Sequence, residues 1–308
     1  MRKAIGVFLV SLAVASAGER VWRDLDQSAL DAAYNQSVYA PNLEQVLGRL
    51  AANSEVARQH LGPPATHAYG DGPDETLDVY ATGQSDAPIF VFIHGGAWRL
   101  GRAADNAHAA ELFVNAGIHY VVPDFSPVQT FDGDLRPMVA QLRAALIWIH
   151  QHAARTFGGN PDRIYLGGFS SGGHLAAVLL TTDWTRYSGT PADLIKGGFL
   201  CSGMYDLEPV ALSSRREYVE FTPEVVDALS PQRHLDRINA PLTIAYGTWE
   251  TPEFQRQARD FTATLQAGGH PVTLLVGEGY NHFEMNETFG NPYGLLGRAA
   301  LAGILAAP

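Results

Sequence analysis

Beyond Pro64 the chain alternates short apolar segments with longer amphipathic ones, and this alternation constrains the fold more than any other feature of the sequence. Pro88–Ile93 is apolar throughout, as a strand buried on both faces of a sheet should be, and Leu77–Tyr80 alternates like an exposed strand. Further strands are predicted at Tyr120–Val122, Arg163–Leu166, Gly198–Cys201, Leu242–Tyr246 and Val272–Val276. Helices are predicted near Asn106–Asn115, Leu135–Phe157, Ser171–Leu180, Pro252–Ala267 and Gly294–Ala306. This order predicts a mainly parallel, doubly wound α/β sheet with helices on both faces.

Two segments stand outside this alternation. Residues from Trp22 to His60 carry leucines roughly at helix spacing and are predicted to be helical. The stretch Leu207–Asn239 contains no strong strand. We expect residues 207–239 and the N-terminal helices, residues 22–60, to form a small helical cap over a single domain spanning residues 18–308.

The composition excludes several classes of function. Of the 308 residues 46% are apolar and 17% charged, which predicts a globular chain. The formal net charge of −11 and the presence of just two lysines, Lys3 and Lys196, argue against a nucleic-acid partner. Cys201 is the one cysteine, so no intrachain disulfide can form, and its apolar neighbours predict a buried strand thiol. No metal site is expected.

The N-terminus has the order of a secretory signal peptide. Basic residues at positions 2 and 3 precede an apolar run over residues 4–15, and Ala15-Ser16-Ala17 fits a small-residue cleavage site. The run is too short for a comfortable membrane span. We therefore expect residues 1–17 to be removed and the mature protein to be periplasmic or secreted. If the segment is not a signal, the protein is cytoplasmic.

The pentapeptide Gly168-Phe169-Ser170-Ser171-Gly172 matches the G-x-S-x-G pattern of a nucleophile elbow. An apolar strand leads into it and a helical segment leaves it, which is the context that an elbow requires. A phosphate-binding loop is the competing interpretation, but no G-K-[ST] occurs there. Ser170 is therefore the candidate nucleophile, and the backbone N–H of Ser171 is a candidate oxyanion donor.

A second motif, His94-Gly95-Gly96-Ala97-Trp98, directly follows the apolar segment that ends at Ile93. Backbone N–H groups in such a glycine-rich turn can stabilise the oxyanion of acyl transfer. Gly96 and Ala97 are therefore candidate oxyanion donors. His94 is expected to support the loop through hydrogen bonds.

The general base of such a hydrolase follows the last strand, and the acid lies between nucleophile and base. His282 follows the segment Val272–Val276 and is the expected base, with His174 as a rival close to Ser170 in sequence. Glu250 follows the segment Leu242–Tyr246 and is the expected acid. Asp206, after the preceding strand, remains the alternative acid.

Together these motifs resemble a known family. His94-Gly95-Gly96-Ala97-Trp98, Gly168–His174, Ser202–Leu207, Thr251-Pro252-Glu253-Phe254 and Asn281-His282-Phe283-Glu284 are similar to elements of the arylformamidase (kynurenine formamidase) branch of the α/β-hydrolases, close to the hormone-sensitive-lipase-like esterases. The resemblance implies an α/β-hydrolase fold with a mainly parallel eight-stranded sheet and a triad without cofactors. The family has Asp where this chain has Glu250, and the apparent signal peptide is a second departure.

The sequence thus predicts a serine hydrolase that cleaves small carboxylic esters or aryl amides through an acyl-enzyme on Ser170. N-formylkynurenine, a carbamate and a lactone are alternative substrates, acyl transfer to another acceptor is an alternative reaction, and a non-catalytic binding module is the alternative of another class. The motifs adjoin four aromatic residues that are candidate pocket walls, or else plain core residues: Trp98, Tyr205, Tyr280 and Phe283. The partner is a small molecule, no stable membrane span is expected, and a homodimer is compatible with these features.

Overall fold

The structure, a computed structural model, describes residues 19–306. The predicted signal peptide, residues 1–17, lies outside the described residues. The strands are β1 (Arg20–Trp22), β2 (Leu25–Asp26), β3 (Ala65–Ala68), β4 (Thr76–Tyr80), β5 (Ala87–Ile93), β6 (His119–Pro123), β7 (Gly159–Phe169), β8 (Ile195–Cys201), β9 (Leu242–Gly247) and β10 (Val272–Gly277).

The α-helices are α1 (Gln27–Ala33), α2 (Leu43–Leu61), α3 (Ala110–Asn115), α4 (Leu135–Thr156), α5 (Ser171–Leu180), α6 (Glu208–Leu212), α7 (Pro223–Ala228), α8 (Pro252–Ala267), α9 (His282–Glu287) and α10 (Leu295–Leu305). Short 3₁₀ helices lie at Gln36–Tyr39, Ala103–Ala109, Val128–Phe131, Trp184–Arg186, Ser214–Glu217, Pro231–Arg233, Leu235–Arg237 and Thr288–Gly290.

The central sheet has eight strands in the order β10-β9-β8-β7-β5-β6-β4-β3. The pairs from β10 through β6 are parallel, whereas β4 pairs antiparallel with both β6 and β3. The predicted eight-stranded, mainly parallel sheet is thus confirmed. The sequence pattern missed the edge strand β3, whose residues are half-buried or exposed and therefore lack an apolar run.

Side chains of the central strands alternate between two apolar layers, as strand geometry requires. Ile89 and Val91 of β5 belong to the layer that includes side chains of α4, α5 and α8. Phe90 and Phe92 belong to the opposite layer, with side chains of α3 and α10. Phe90 stacks on Phe113 of α3 at a centroid distance of 4.2 Å. Helices therefore cover both faces, as predicted, and Cys201 is buried among them.

The N-terminal segment differs from the prediction at its start. Trp22 and Leu25 lie in a two-stranded antiparallel ribbon, β1–β2, and not in a helix. Helix α1 begins only after Asp26, whose carboxylate accepts the Ala29 N–H and caps it. The helix predicted at 106–115 is also divided, since a 3₁₀ helix precedes α3 with non-helical dihedral angles at Asn106.

The parallel strands place the carboxyl ends of β5, β7, β8, β9 and β10 at one edge of the sheet. Such an edge is where open α/β sheets bind ligands. The motifs that follow these strands therefore come together there. Along residues 19–306, no helix combines the length and apolarity needed to cross a bilayer.

Candidate active site

Ser170 occupies a strained turn between β7 and α5. Its φ is +57° and its ψ is −123°, a conformation that costs a non-glycine residue on the order of 1–3 kcal/mol. The turn requires glycine on both sides of Ser170, because a side chain there would clash with the backbone. A Cβ on Gly168 would lie 2.3 Å from the Gly172 carbonyl oxygen, and a Cβ on Gly172 would lie 2.1 Å from the Ile93 carbonyl oxygen. The turn places the Ser170 side chain at the N-terminus of α5, where the helix dipole favours negative charge.

His282 is held by a capping box at the start of α9. The Asn281 side chain accepts the backbone N–H groups of Phe283 and Glu284 at 3.0 and 3.1 Å, and the Glu284 carboxylate accepts the Asn281 N–H at 2.9 Å. Asn42, just before α2, donates to Glu284 at 2.7 Å and accepts from the Asn281 side chain at 2.7 Å. The N-terminal region therefore buttresses the turn that carries the imidazole.

Three buried side chains form a continuous hydrogen-bonded chain at this edge. The His282 Nε2 atom lies 2.9 Å from Ser170 Oγ, and its Nδ1 atom lies 3.0 Å from Glu250 Oε2. The rings of Phe169 and Phe254 pack against the imidazole at centroid distances of 4.7 and 5.2 Å. A hydroxyl, an imidazole and a carboxylate in this order can move a proton off the hydroxyl and stabilise the resulting imidazolium.

Further contacts orient the Glu250 carboxylate. Its Oε1 accepts the Ser202 hydroxyl at 2.5 Å and the Gly247 N–H at 2.8 Å, and the Gln36 amide donates to Oε2 at 3.5 Å. Because Oε2 then faces His282 Nδ1 as an acceptor, the Nδ1 atom carries the proton and Nε2 remains free to accept from Ser170. The carboxylate thus selects the imidazole tautomer.

The alternative acid, Asp206, lies elsewhere. Its carboxylate accepts the Glu208 N–H at 3.1 Å and lies 4.0 Å from the Arg233 guanidinium. The structure therefore brings Glu250, and not Asp206, to the His282 imidazole.

The glycine-rich loop after β5 turns with left-handed backbone angles. The φ values are +121° at Gly96, +56° at Ala97 and +61° at Trp98. Within residues 19–306, the backbone N–H groups of Gly96, Ala97 and Ser171 donate to no protein acceptor. The loop packs closely on the Ser170 turn, since a Cβ on Gly95 would lie 3.2 Å from Ser170 Cβ. The three predicted oxyanion donors therefore lie on two turns that pack against each other.

His94 and His174 are engaged in other contacts. The Trp98 indole N–H donates to His174 Nδ1 at 3.2 Å, so that Nε2 carries the proton and donates to the Leu229 carbonyl at 2.8 Å. His94 Nδ1 donates to the Gly95 carbonyl at 2.8 Å and so supports the glycine loop. Burial lowers the pKa of each imidazole to about 4. Both rings are therefore neutral near pH 7.

A cavity of about 640 Å³ opens onto Ser170 and His282. It lies between the N-terminal segment, the glycine loop and the segment near residue 215. The side chains and backbone that line it include Asp31, Tyr34, Asn35, Gln36, Val38, Gly96, Ala97, Arg99, Leu100, Phe169, Ser214, Arg215, Tyr218 and Phe283.

Three of the four aromatic residues predicted as pocket walls do not line this cavity. Trp98 is buried in the core, where its indole N–H donates to His174. Tyr205 is fully buried and stacks on Phe261 at 4.4 Å. Tyr280 lies 41% exposed in the turn before α9. Of the four, Phe283 borders the cavity beside Ser170.

Several residues of the site escaped the sequence interpretation. Gln36, Tyr34 and Arg215 come from segments far from the motifs and carry no local signal. Ser202 follows β8 directly, so its position at the carboxyl edge of a parallel sheet was a usable signal.

Comparisons with known proteins place the chain among hydrolases. The kynurenine formamidase of Danio rerio is 30% identical over 279 residues, which cover 86% of this chain and 92% of that protein. The kynurenine formamidase of Salmo salar is 31% identical over 282 residues, with the same coverage of 86% and 92%. The BD-FAE family matches residues 77–191.

Solved structures agree with this assignment. The structure of a proposed thioesterase from Silicibacter sp. TM1040 is 25% identical, with a TM-score of 0.76, and covers 90% of this chain and 99% of that one. More distant sequence relatives have esterase names. These findings confirm the resemblance noted from the motifs and make the chain an ester or amide hydrolase. It belongs to the kynurenine formamidase family, in the branch of the α/β-hydrolases that adjoins the hormone-sensitive-lipase-like esterases.

Proposed function

We propose that this protein hydrolyses small carboxylic esters and aryl amides through an acyl-enzyme on Ser170, with His282 as general base and Glu250 as acid. The observation that carries the proposal is the hydrogen-bonded chain from Ser170 Oγ to His282, at 2.9 Å, and from His282 to Glu250, at 3.0 Å. It opens onto a cavity large enough for a small substrate.

In the first half of the reaction, Ser170 Oγ attacks the acyl carbon while its proton passes to His282 Nε2. The carbonyl oxygen becomes an oxyanion, which the N–H groups of Gly96, Ala97 and Ser171 stabilise. Collapse of the tetrahedral intermediate breaks the bond to the leaving group, which takes the proton from His282. An ester of Ser170 with the acyl group remains.

In the second half, a water molecule gives a proton to His282 and attacks the acyl carbon. The second tetrahedral intermediate collapses, Ser170 Oγ recovers the proton and the carboxylic acid leaves. Glu250 keeps the Nδ1 proton in place and stabilises the imidazolium in both halves.

The N-terminal helices and the segment 207–239 form the cap of this site in our proposal. Their mutual contacts support it: the Asp31 carboxylate accepts the Ser214 N–H at 2.7 Å, and Gln27 donates to the Leu212 carbonyl at 2.9 Å. Export after cleavage near Gly18 is part of the same proposal, and the mass of the mature chain tests it. The homodimer and the lack of a nucleic-acid partner stay predictions.

Turnover by wild type and the Ser170→Ala variant tests the reaction. With p-nitrophenyl acetate, butyrate and octanoate we expect hydrolysis by the wild type, and a loss of at least about 10³-fold in the variant because no acyl-enzyme can form. The matched control is Ser171→Ala, which removes a hydroxyl one residue away but keeps the backbone N–H. It should lose no more than about tenfold. Equal losses in both variants would contradict the proposal.

A second candidate substrate is N-formylkynurenine. Identities of 30% and 31% to proteins named kynurenine formamidase, over 86% of the chain, favour it. The same turnover series decides between the two: dominant cleavage of the formamide identifies an arylformamidase, and dominant cleavage of short esters identifies a broader esterase.

A further inference from the structure

The cavity beside Ser170 holds a buried arginine that forms no ion pair with any carboxylate of residues 19–306. Arg215 is 8% exposed, and its guanidinium donates to the Tyr34 carbonyl at 3.1 Å and to the Tyr218 hydroxyl at 2.9 Å. Both of these acceptors are neutral. The Nε atom has no acceptor among the described residues, and arginine carries five N–H donors. Donors of this side chain thus remain unused.

The guanidinium groups of Arg215 and Arg99 each lie over an aromatic ring, a contact that uses none of their N–H donors. The Arg215 guanidinium carbon lies 5.5 Å from the centroid of the Trp98 ring, and that of Arg99 lies 4.6 Å from the centroid of the Tyr218 ring. Stacking on a ring leaves the edge of the guanidinium plane open for hydrogen bonds. Arg99 is exposed, borders the same cavity and has no ion pair within residues 19–306.

The balance of charge around the cavity indicates how much negative charge it can take. Its lining contains the cations Arg99 and Arg215 and one carboxylate, Asp31. Asp31 is already hydrogen-bonded, accepting from Gln27 at 2.9 Å and from the Ser214 N–H. One positive charge is left over, in a protein whose net charge is −11. A buried cation without a partner is unfavourable, and an anion that reaches it removes that cost.

We propose that the substrate carries one carboxylate, which Arg215 binds together with Arg99 while Ser170 attacks the ester or amide bond. This inference rests on the proposed function and adds the substrate class: monoanionic esters or amides. Guanidinium groups match the planar carboxylate with paired N–H donors. The carboxylate can belong to the acyl part or to the leaving group, and the test separates these two sources.

Binding to the Ser170→Ala variant, measured by calorimetry, tests the inference without turnover. One pair of ligands is 4-acetoxybenzoate and its methyl ester, with the charge on the leaving group. The other is mono-4-nitrophenyl succinate and its methyl ester, with the charge on the acyl part. In at least one pair we expect the acid to bind at least about tenfold more tightly than its ester. The pair that shows the difference identifies the side that Arg215 holds.

Two arginine substitutions in the Ser170→Ala background complete the test. Arg215→Gln should abolish the preference for the acid and leave the affinity for the methyl ester within about threefold. The control is Arg216→Gln, which removes the same charge from an exposed neighbour that lies 3.5 Å from Gln27 and does not line the cavity. This control should keep the preference in full.

Equal affinities for the acid and its ester in both pairs overturn the inference. An equal loss of affinity for the acid and for the ester in Arg215→Gln also overturns it. If Arg215→Gln does not fold, Arg99→Gln at the exposed residue replaces it. That variant must then lose affinity for the acid and keep its affinity for the methyl ester. Failure of the proposed function shows separately, as wild-type protein that does not hydrolyse methyl 4-acetoxybenzoate.

Discussion

At the scale of single residues, the contact between His282 and Glu250 determines which imidazole nitrogen can act as a base. Glu250 Oε2 lies 3.0 Å from Nδ1, and the Ser202 hydroxyl and the Gly247 N–H hold the other carboxylate oxygen. Asp206 makes no such contact and lies beside Arg233. Glu250 therefore contacts the imidazole, and Asp206 does not.

Replacing each carboxylate by its amide measures this difference. In Glu250→Gln we expect kcat to fall by about 10³- to 10⁴-fold, because an amide can donate to Nδ1 and favour the wrong tautomer. Asp206→Asn should stay within about threefold of wild type. Steady-state kinetics on a p-nitrophenyl ester, with circular dichroism to check folding, makes the comparison. A larger loss in folded Asp206→Asn would refute the assignment of the acid.

At the scale of elements, the glycine loop after β5 and the turn between β7 and α5 must approach closely. Gly95 makes this approach, since a Cβ there would lie 2.9 Å from the Phe169 carbonyl oxygen and 3.2 Å from Ser170 Cβ. Parallel pairing of β5 with β7, up to Ile93 opposite Gly168, brings both turns to the same edge. The distance between the proposed oxyanion donors and Ser170 therefore depends on glycine, which has no side chain, at position 95.

Gly95→Ala tests this packing. The methyl group should push the loop away from Ser170 and lower kcat/KM by about 100-fold, since displacements near 1 Å have such effects. Gly48→Ala in α2 is the control, because its Cβ would meet nothing within 4 Å. It should keep full activity and raise the free energy of unfolding by about 0.5–1 kcal/mol. Unchanged activity in Gly95→Ala would show that the loop position does not matter for catalysis.

At the scale of the whole molecule, buried histidines link stability to pH. Burial lowers the pKa of His94, His108 and His174 to about 4, from an ordinary value of 6.5. Below pH 6.5 the unfolded chain binds protons that the folded chain excludes, so the free energy of unfolding must fall as the pH drops from 6.5 toward 4. Each histidine contributes a slope of about 1.4 kcal/mol per pH unit in that window.

Urea unfolding at several pH values measures this slope for wild type and His108→Gln. The free energy of unfolding of the variant should fall less steeply between pH 6.5 and 4, by about 1.4 kcal/mol per pH unit, because one buried imidazole is gone. At pH 7.5, above the pKa of His108 in both the folded and the unfolded chain, the difference in the free energy of unfolding between variant and wild type measures the effect of the substitution itself. Identical slopes in the two proteins would mean that burial does not lower the pKa of His108.

The sequence predicted seven of the eight strands of the central sheet, because burial on two faces requires continuous apolar runs such as Pro88–Ile93. It also predicted that Ser170, Glu250 and His282 meet, because in a parallel sheet the residues that follow successive strands lie at one edge. Local pattern was weaker where burial is partial: the edge strand β3 and the ribbon at Trp22 were not predicted.

Contacts between distant segments set what surrounds the three residues. Tyr34 and Arg215 lie 181 positions apart, and their contact forms through packing of the N-terminal segment on the segment near residue 215. Trp98 and Tyr205 adjoin the motifs in sequence but turn into the core, because backbone angles and neighbouring rings set the direction of a side chain. The cavity beside Ser170 depends on contacts between segments that no local pattern encodes.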